Sequence, residues 1–232
     1  MNTNIIQDEI NKNGNTNLIT HSGLTSGSQI FAIGDSHTIF FYNSMKIKEH
    51  WCCGVGSSLT MYALLRYGMD IYELGNQLGN GHEKYNIKED DYVLFYYGFN
   101  DIQRNINLHS KNNWNEQIET LCLKYITYVQ ILREKYKIKP IVPCVYPNPR
   151  PGAEGQNPCG TYEERRHYTL YANKMLSLNC KNNNIPFLNI YDHITDDNGF
   201  IKENITSDLI HLDYNNKEIK DYVETEIYKF CY

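Results

Sequence analysis

The sequence of 232 residues lacks any apolar run near the roughly 20 residues that a membrane span requires, so no spanning helix is expected. It also lacks clusters of basic residues. Its 22 Lys and Arg stand against 27 Asp and Glu, for a net charge of −5. A nucleic-acid partner bound through phosphate neutralisation is therefore not expected. The seven cysteines (Cys52, Cys53, Cys122, Cys144, Cys159, Cys180 and Cys231) are odd in number and form no C-x-x-C pair. That argues against a disulfide framework and against a structural zinc site. The opening stretch MNTNIIQDEINKNGNTN has neither a basic n-region nor an apolar h-region, so it does not read as a secretory signal. Free thiols without such a signal point to a reducing, cytoplasmic setting. No internal repeat is visible.

Aromatic residues are abundant, at 13% with 20 Tyr and 8 Phe, and the hydrophobic share of 41% is that of a globular chain. The length suits one domain with a sizeable core. Residues 1–28 are polar, Asn-rich and aperiodic, so they read as a flexible arm that buries too little apolar surface to order itself. Residues 29–232 read as a single domain. Five short apolar runs mark strands: Ile30 to Ile33, His50 to Cys53, Tyr92 to Tyr97, Ile141 to Val145 and Phe187 to Ile190. Three of them stop at or beside Gly34, Gly54 and Gly98.

Helical spacing separates the strands. Ile118, Leu121, Cys122, Tyr125, Val129 and Leu132 recur at steps of three and four, which predicts an amphipathic helix over 114–136. Tyr168, Tyr171, Met175 and Leu178 predict another within 163–182, and Ile219, Tyr222, Val223, Ile227 and Phe230 a C-terminal one. Continuous apolar strands alternating with helices imply an α/β fold: a three-layer α/β/α sandwich on a five-stranded parallel sheet, flavodoxin-like. In such sheets ligands bind beyond the carboxyl ends of the strands. That expectation gathers 34–38, 54–58, 98–101 and the Pro/Gly-rich loop 147–160 (PNPRPGAEGQNPCG) around one crevice, and gives the loop a functional role.

Four segments in this crevice carry chemistry. Gly34-Asp35-Ser36-His37 places a serine at a strand-to-helix turn, where backbone N–H groups favour an anion and the serine N–H can serve a developing oxyanion. Gly98-Phe99-Asn100-Asp101 places an amide donor after the strongest strand. Gly54-Val55-Gly56-Ser57-Ser58 can supply a glycine N–H. Asp208-Leu209-Ile210-His211 sets a carboxylate and an imidazole three residues apart, the spacing by which an Asp fixes a His that takes a serine proton. Singly, each segment is ordinary cap or turn chemistry. Jointly, in this order, they are not.

GDS(H), a following Gly, GxND and DxxH in that order resemble blocks I, II, III and V of the SGNH (GDSL-like) hydrolase family, over about residues 29–232. The run Asp197-Asn198-Gly199-Phe200-Ile201 is similar to the family's approach to its last block. The resemblance implies Ser36 as nucleophile, His211 as base and Asp208 as its orienting carboxylate. It implies an oxyanion hole of the Ser36 N–H, the Gly56 N–H and the Asn100 side chain, with no metal and no cofactor. Asp35 would support the turn, and Asp101 would start a helix or stand behind the site. His37 departs from the Leu-type residue usual in the GDSL pattern, which leaves the substrate class open.

The activity so implied is hydrolysis of a small-molecule or glycan ester through an acyl-enzyme. A carbohydrate O-acetyl ester is favoured because apolar lid segments are missing and the 147–160 loop is polar. The alternatives are a sugar O-acyltransferase on the same machinery and a non-catalytic carbohydrate-binding module that uses tyrosines as stacking platforms. A metallophosphoesterase is the remaining rival, since Asp35-x-His37 and Asn100-Asp101 resemble metal-ligand pairs. Against it, His37 is followed by Thr38 rather than Gly, and no G-D-x-x-D or G-N-H motif occurs. The sequence does not set the oligomeric state.

Overall fold

A computed structural model of the protein describes residues 27–42, 44–51, 60–61, 64–65, 87–104, 112–153 and 158–231. Strands β1 (Ile30–Gly34), β2 (Ile47–Trp51), β3 (Tyr92–Tyr96), β4 (Lys139–Pro143) and β5 (Phe187–Leu188) form one sheet in the order β2-β1-β3-β4-β5. Every pairing is parallel, and β1 is central enough to align with two partners: Ile30 lies opposite Ile47 and Tyr92, and Gly34 opposite Trp51 and Tyr96. The winding direction reverses at β1. Such a switch point opens a crevice at the carboxyl ends of the strands that flank it, here β1 and β3.

Side-chain alternation along the strands builds two cores. Phe31, Ile33, Val93, Phe95 and Val142 face helices α2 (Trp114–Tyr136) and α3 (Tyr162–Asn182), where they meet Cys122, Tyr125, Val129, Ala172 and Leu176. Ile30, Ala32, Leu94, Ile141 and Leu188 face the opposite way, toward Phe40, Phe41, Ile219, Val223 and Ile227. The last three belong to α5 (Lys217–Tyr228), and two short helices, α1 (Phe99–Arg104) and α4 (Tyr191–Ile194), complete the set used below. With helices covering both faces, the strands must be apolar on both sides, and this is what the continuous runs expressed. The three-layer α/β/α architecture is thus the one expected.

Local signals set the helix starts. Thr161 accepts from the Glu164 N–H at 3.2 Å while the Glu164 carboxylate accepts from the Thr161 N–H at 2.7 Å, a capping box that opens α3 directly after the Pro/Gly loop. α2 has the bounds that its periodicity predicts.

The differences from expectation are physical. β2 begins at Ile47, three residues before the predicted start, because an edge strand need not be apolar on both faces: Ile47 is buried and Lys48 is exposed. β4 begins at Lys139, whose N–H donates to Asp91 O, so pairing starts ahead of the apolar run. Tyr168 is buried and Tyr171 and Met175 pack against the same core, but Leu178 is exposed, because the buried stripe of α3 runs on through Thr169, Ala172, Asn173 and Leu176. Phe230 lies beyond the end of α5. The arm predicted over 1–28, apart from its last two residues, and the 54–58 segment with Gly56 lie outside the described residues.

Candidate active site

Gly34 ends β1 at φ +148°, and a Cβ there would stand 1.9 Å from Tyr96 O. The chain needs a glycine to turn off the sheet against β3. The turn is then fixed by the Asp35 N–H donating to Tyr96 O at 2.9 Å. Asp35 caps the 3-10 helix Ser36–Phe41: its carboxylate accepts from the His37 N–H at 3.0 Å, and its carbonyl accepts from Thr38 Oγ1 at 2.9 Å. Ser36 is the half-exposed first residue of that helix, between the buried Asp35 and His37. Asp35 does support the turn.

The last segment arrives from the far end of the chain. Asp208 folds its carboxylate over its own turn: Oδ1 accepts from the N–H groups of Ile210 at 2.9 Å and His211 at 2.7 Å, and Oδ2 lies 2.5 Å from His211 Nδ1. The turn holds Leu209 at φ +66°, a conformation costly for a side chain with a Cβ and kept only where the surroundings impose it. His211 Nε2 stands 2.7 Å from Ser36 Oγ, across 175 residues of sequence. Once Asp208 accepts the Nδ1 proton, Nε2 presents a lone pair and the Ser36 hydroxyl donates to it.

Burial shapes the electrostatics. His211 has its pKa lowered, first by burial and then by His37, against the raising influence of Asp208. Its neutral form is therefore favoured near pH 7. Asp208 is half-exposed, and burial raises its pKa; the His211 N–H and imidazole outweigh that and hold it below the usual carboxylate value. His37 stands beneath the serine at 2% exposure, with Nδ1 3.0 Å from Asp35 Oδ1 and its ring packed against Phe99, Tyr146 and His211 at centroid distances of 4.4, 4.6 and 4.9 Å. Its Nε2 is buried with no hydrogen-bond partner among the described residues, and His37 lines a small cavity with Tyr96, Phe99 and Tyr146. Burial keeps both phenols protonated and pushes the Cys144 thiol of the same cavity up to about 12.

Gly98, at φ +114°, ends β3 and leads into α1; a Cβ there would meet Met61 and Val145 side chains at 2.6 and 2.7 Å. Asn100 is buried in the first turn of α1. Asp101 lies in the first turn of that helix and accepts from the Met61 N–H at 2.7 Å, so it holds the chain that follows the 54–58 segment. Among the described residues, no group of three His, Cys, Asp or Glu is placed to hold a metal ion. The Asp35–His37 pair is spent on its own turn.

Sequence reasoning missed five residues around the site. The carboxylate that organises the 196–201 turn is Asp196, not Asp197: it accepts from the N–H groups of Asn198 and Phe200 at 3.0 Å each and from Arg150 at 2.8 Å. Asn148 joins Gln103 on α1 to this turn. Asn173 on α3 holds the end of β4, accepting from the Val145 N–H at 2.7 Å and donating to Val145 O at 3.0 Å. Polar side chains inside a Pro/Gly loop or on a helix look like surface in sequence, and the part-buried Arg150–Asp196 charge pair joins residues too far apart in the chain to signal each other.

No family model matches the sequence, and no curated protein matches it. Solved structures do. One is a protein assigned as an acylhydrolase from Bacteroides fragilis, at 18% identity and TM-score 0.58, covering 87% of this chain and 85% of that one. Another is a GDSL-like lipase from Bacteroides thetaiotaomicron, at 17% identity and TM-score 0.54, covering 85% and 88%. A third is a protein assigned as an SGNH hydrolase from Slackia heliotrinireducens, at 11% identity and TM-score 0.50, covering 86% and 98%. The five-stranded parallel sheet with helices on both faces is the fold of these GDSL-like and SGNH hydrolases.

Proposed function

We propose that the chain is a serine hydrolase of carboxylic esters, with Ser36 as nucleophile, His211 as general base and Asp208 as the carboxylate that fixes the imidazole. One observation carries the reading: the unbroken hydrogen-bond chain from Ser36 Oγ through His211 to Asp208, at 2.7 and 2.5 Å. Ser36 Oγ attacks the ester carbonyl as its proton passes to His211 Nε2. The oxyanion is met by the Ser36 N–H, the Asn100 side chain and the Gly56 N–H. His211 then protonates the leaving alcohol, and the acyl-enzyme is released by water activated at the same Nε2.

The substrate class we assign is a carbohydrate O-acetyl ester. The loop beside the histidine turn is built on the polar Asn148 and Arg150, and its sequence is polar rather than that of an apolar lid for a long acyl chain. Hydrolysis of p-nitrophenyl acetate tests the reaction, and a series of acyl lengths tests the class. Ser36→Ala and His211→Ala should each lose activity by about 10⁴-fold or more, with Asp208→Ala retaining the most of the three. Equal turnover by Ser36→Ala would refute the mechanism. Strong preference for long-chain esters would refute the acetyl assignment alone. Acyl transfer to an added sugar outrunning hydrolysis would place the chain among acyltransferases.

A further inference from the structure

We propose that Arg150 is a positioning residue for His211, acting through the carbonyl of Leu209 as part of a brace that ties the histidine turn to helix α1. This rests on the reading of His211 as the base.

The need for a brace comes from the turn itself. Asp208 fixes the N–H groups of Ile210 and His211 from inside, but Leu209 in its left-handed conformation must be held from outside. The Arg150 N–H does this, donating to Leu209 O at 2.9 Å. The guanidinium anchors that backbone in turn. Its Nη1 donates to Asp196 Oδ2 at 2.8 Å and to Ile201 O at 3.2 Å, and Nη2 lies 3.5 Å from the Glu203 carboxylate. Asp196 is itself immobilised by two backbone N–H groups, so Arg150 grips a rigid point.

Two residues earlier the same strand of loop reaches the other side of the crevice. The Asn148 N–H donates to Gly199 O at 3.3 Å and Asn148 O accepts from the Ile201 N–H at 3.0 Å, forming a parallel bridge onto the 196–201 turn. Its side chain accepts from Gln103 Nε2 at 3.0 Å and donates to Tyr162 O at 2.9 Å. Gln103 lies one helical turn after Asn100. The far end of the loop returns to the same helix, with the Cys159 N–H on Gln103 O at 2.8 Å. A continuous path thus runs from the helix bearing Asn100 through Gln103, Asn148 and Arg150 to Leu209 and His211. Moving a reacting group by 1 Å can cost about 10²-fold in rate, so a brace of this kind acts on turnover more than on binding.

The test compares Arg150→Ala, Arg150→Lys and Asp196→Asn in the full chain. It measures kcat and KM with p-nitrophenyl acetate and amide hydrogen exchange at Ile210 and His211. Arg150→Ala should lower kcat by about 10- to 100-fold with KM within twofold, and should speed exchange at both amides. Arg150→Lys should recover part of the loss, and joining Asp196→Asn to Arg150→Ala should add nothing further, as for two ends of one contact. Unchanged kcat and exchange in the variants, or a raised KM at constant kcat, would overturn the proposal; the latter would make Arg150 a substrate-binding group. If wild type turns over no faster than Ser36→Ala, the hydrolase reading fails instead, and faster exchange then shows the brace without the chemistry. Should Arg150→Ala not fold, Arg150→Lys and Asp196→Asn decide.

Discussion

His211 lies between influences of opposite sign, and their balance sets how the site responds to pH. Burial and His37 lower its pKa, while Asp208 and Asp35 raise it, and the lowering pair wins. A base must be neutral to accept a proton, so kcat/KM should rise through the folded pKa and stay level above it. Because that pKa lies below the ordinary value of about 6.5, the acid limb should fall below pH 6.5. His37→Gln keeps a donor for Asp35 but removes the influence by which His37 lowers the His211 pKa. The acid limb should therefore move to higher pH, as read from kcat/KM between pH 4.5 and 8. A limb left in place would detach His37 from the base. Such a role was invisible in sequence, where His37 was only a departure from a Leu-type position. What Ser36, Asp208 and His211 showed in sequence was their type, spacing and order. What Asp196 and Arg150 lacked was a neighbour in sequence that revealed their pairing across 46 residues.

At the scale of elements, apolar rhythm was legible where both faces of a strand or one stripe of a helix are buried, as in β1, β3 and α2. On α3 it was legible at Tyr168 but not at Leu178, because the buried stripe also contains Arg165 and Asn173. Asn173 shows why a polar residue belongs there: its amide takes the place of a missing strand partner for Val145, just where β4 leaves the sheet. Asn173→Ala strands one buried donor and one buried acceptor, a loss of about 3 kcal/mol. For a chain of this size the midpoint of thermal unfolding should drop by roughly 10 °C, measurable by calorimetry. A drop under about 2 °C would mean that water satisfies Val145 as well as the amide does. The edge strand β2 was mislocated by three residues, since a strand with one open side need not be apolar throughout.

At the scale of the whole molecule, two apolar cores enclose the sheet and, among the described residues, bury four cysteines. The Cys144, Cys180 and Cys231 thiols are pushed up to about 12 by burial, and Cys122 is raised further. In native protein these four should resist alkylation at pH 8 and become reactive together on cooperative unfolding, with peptide mass mapping as the readout. Early, separate modification of Cys122 on α2 and Cys180 on α3 would show that the two cores open independently. The fold itself was legible because a parallel sheet covered on both faces writes itself as apolar runs between helices, and its switch point foretold the crevice. The site joins a hydroxyl leaving the first strand to an imidazole 175 residues later. The most direct measurement is mass spectrometry of the protein treated with a fluorophosphonate, followed by peptide mapping. The expected result is one adduct, on Ser36, formed at least about 10³-fold more slowly in His211→Ala. An adduct at another serine, or labelling of Ser36 at equal rates with and without His211, would contradict the account.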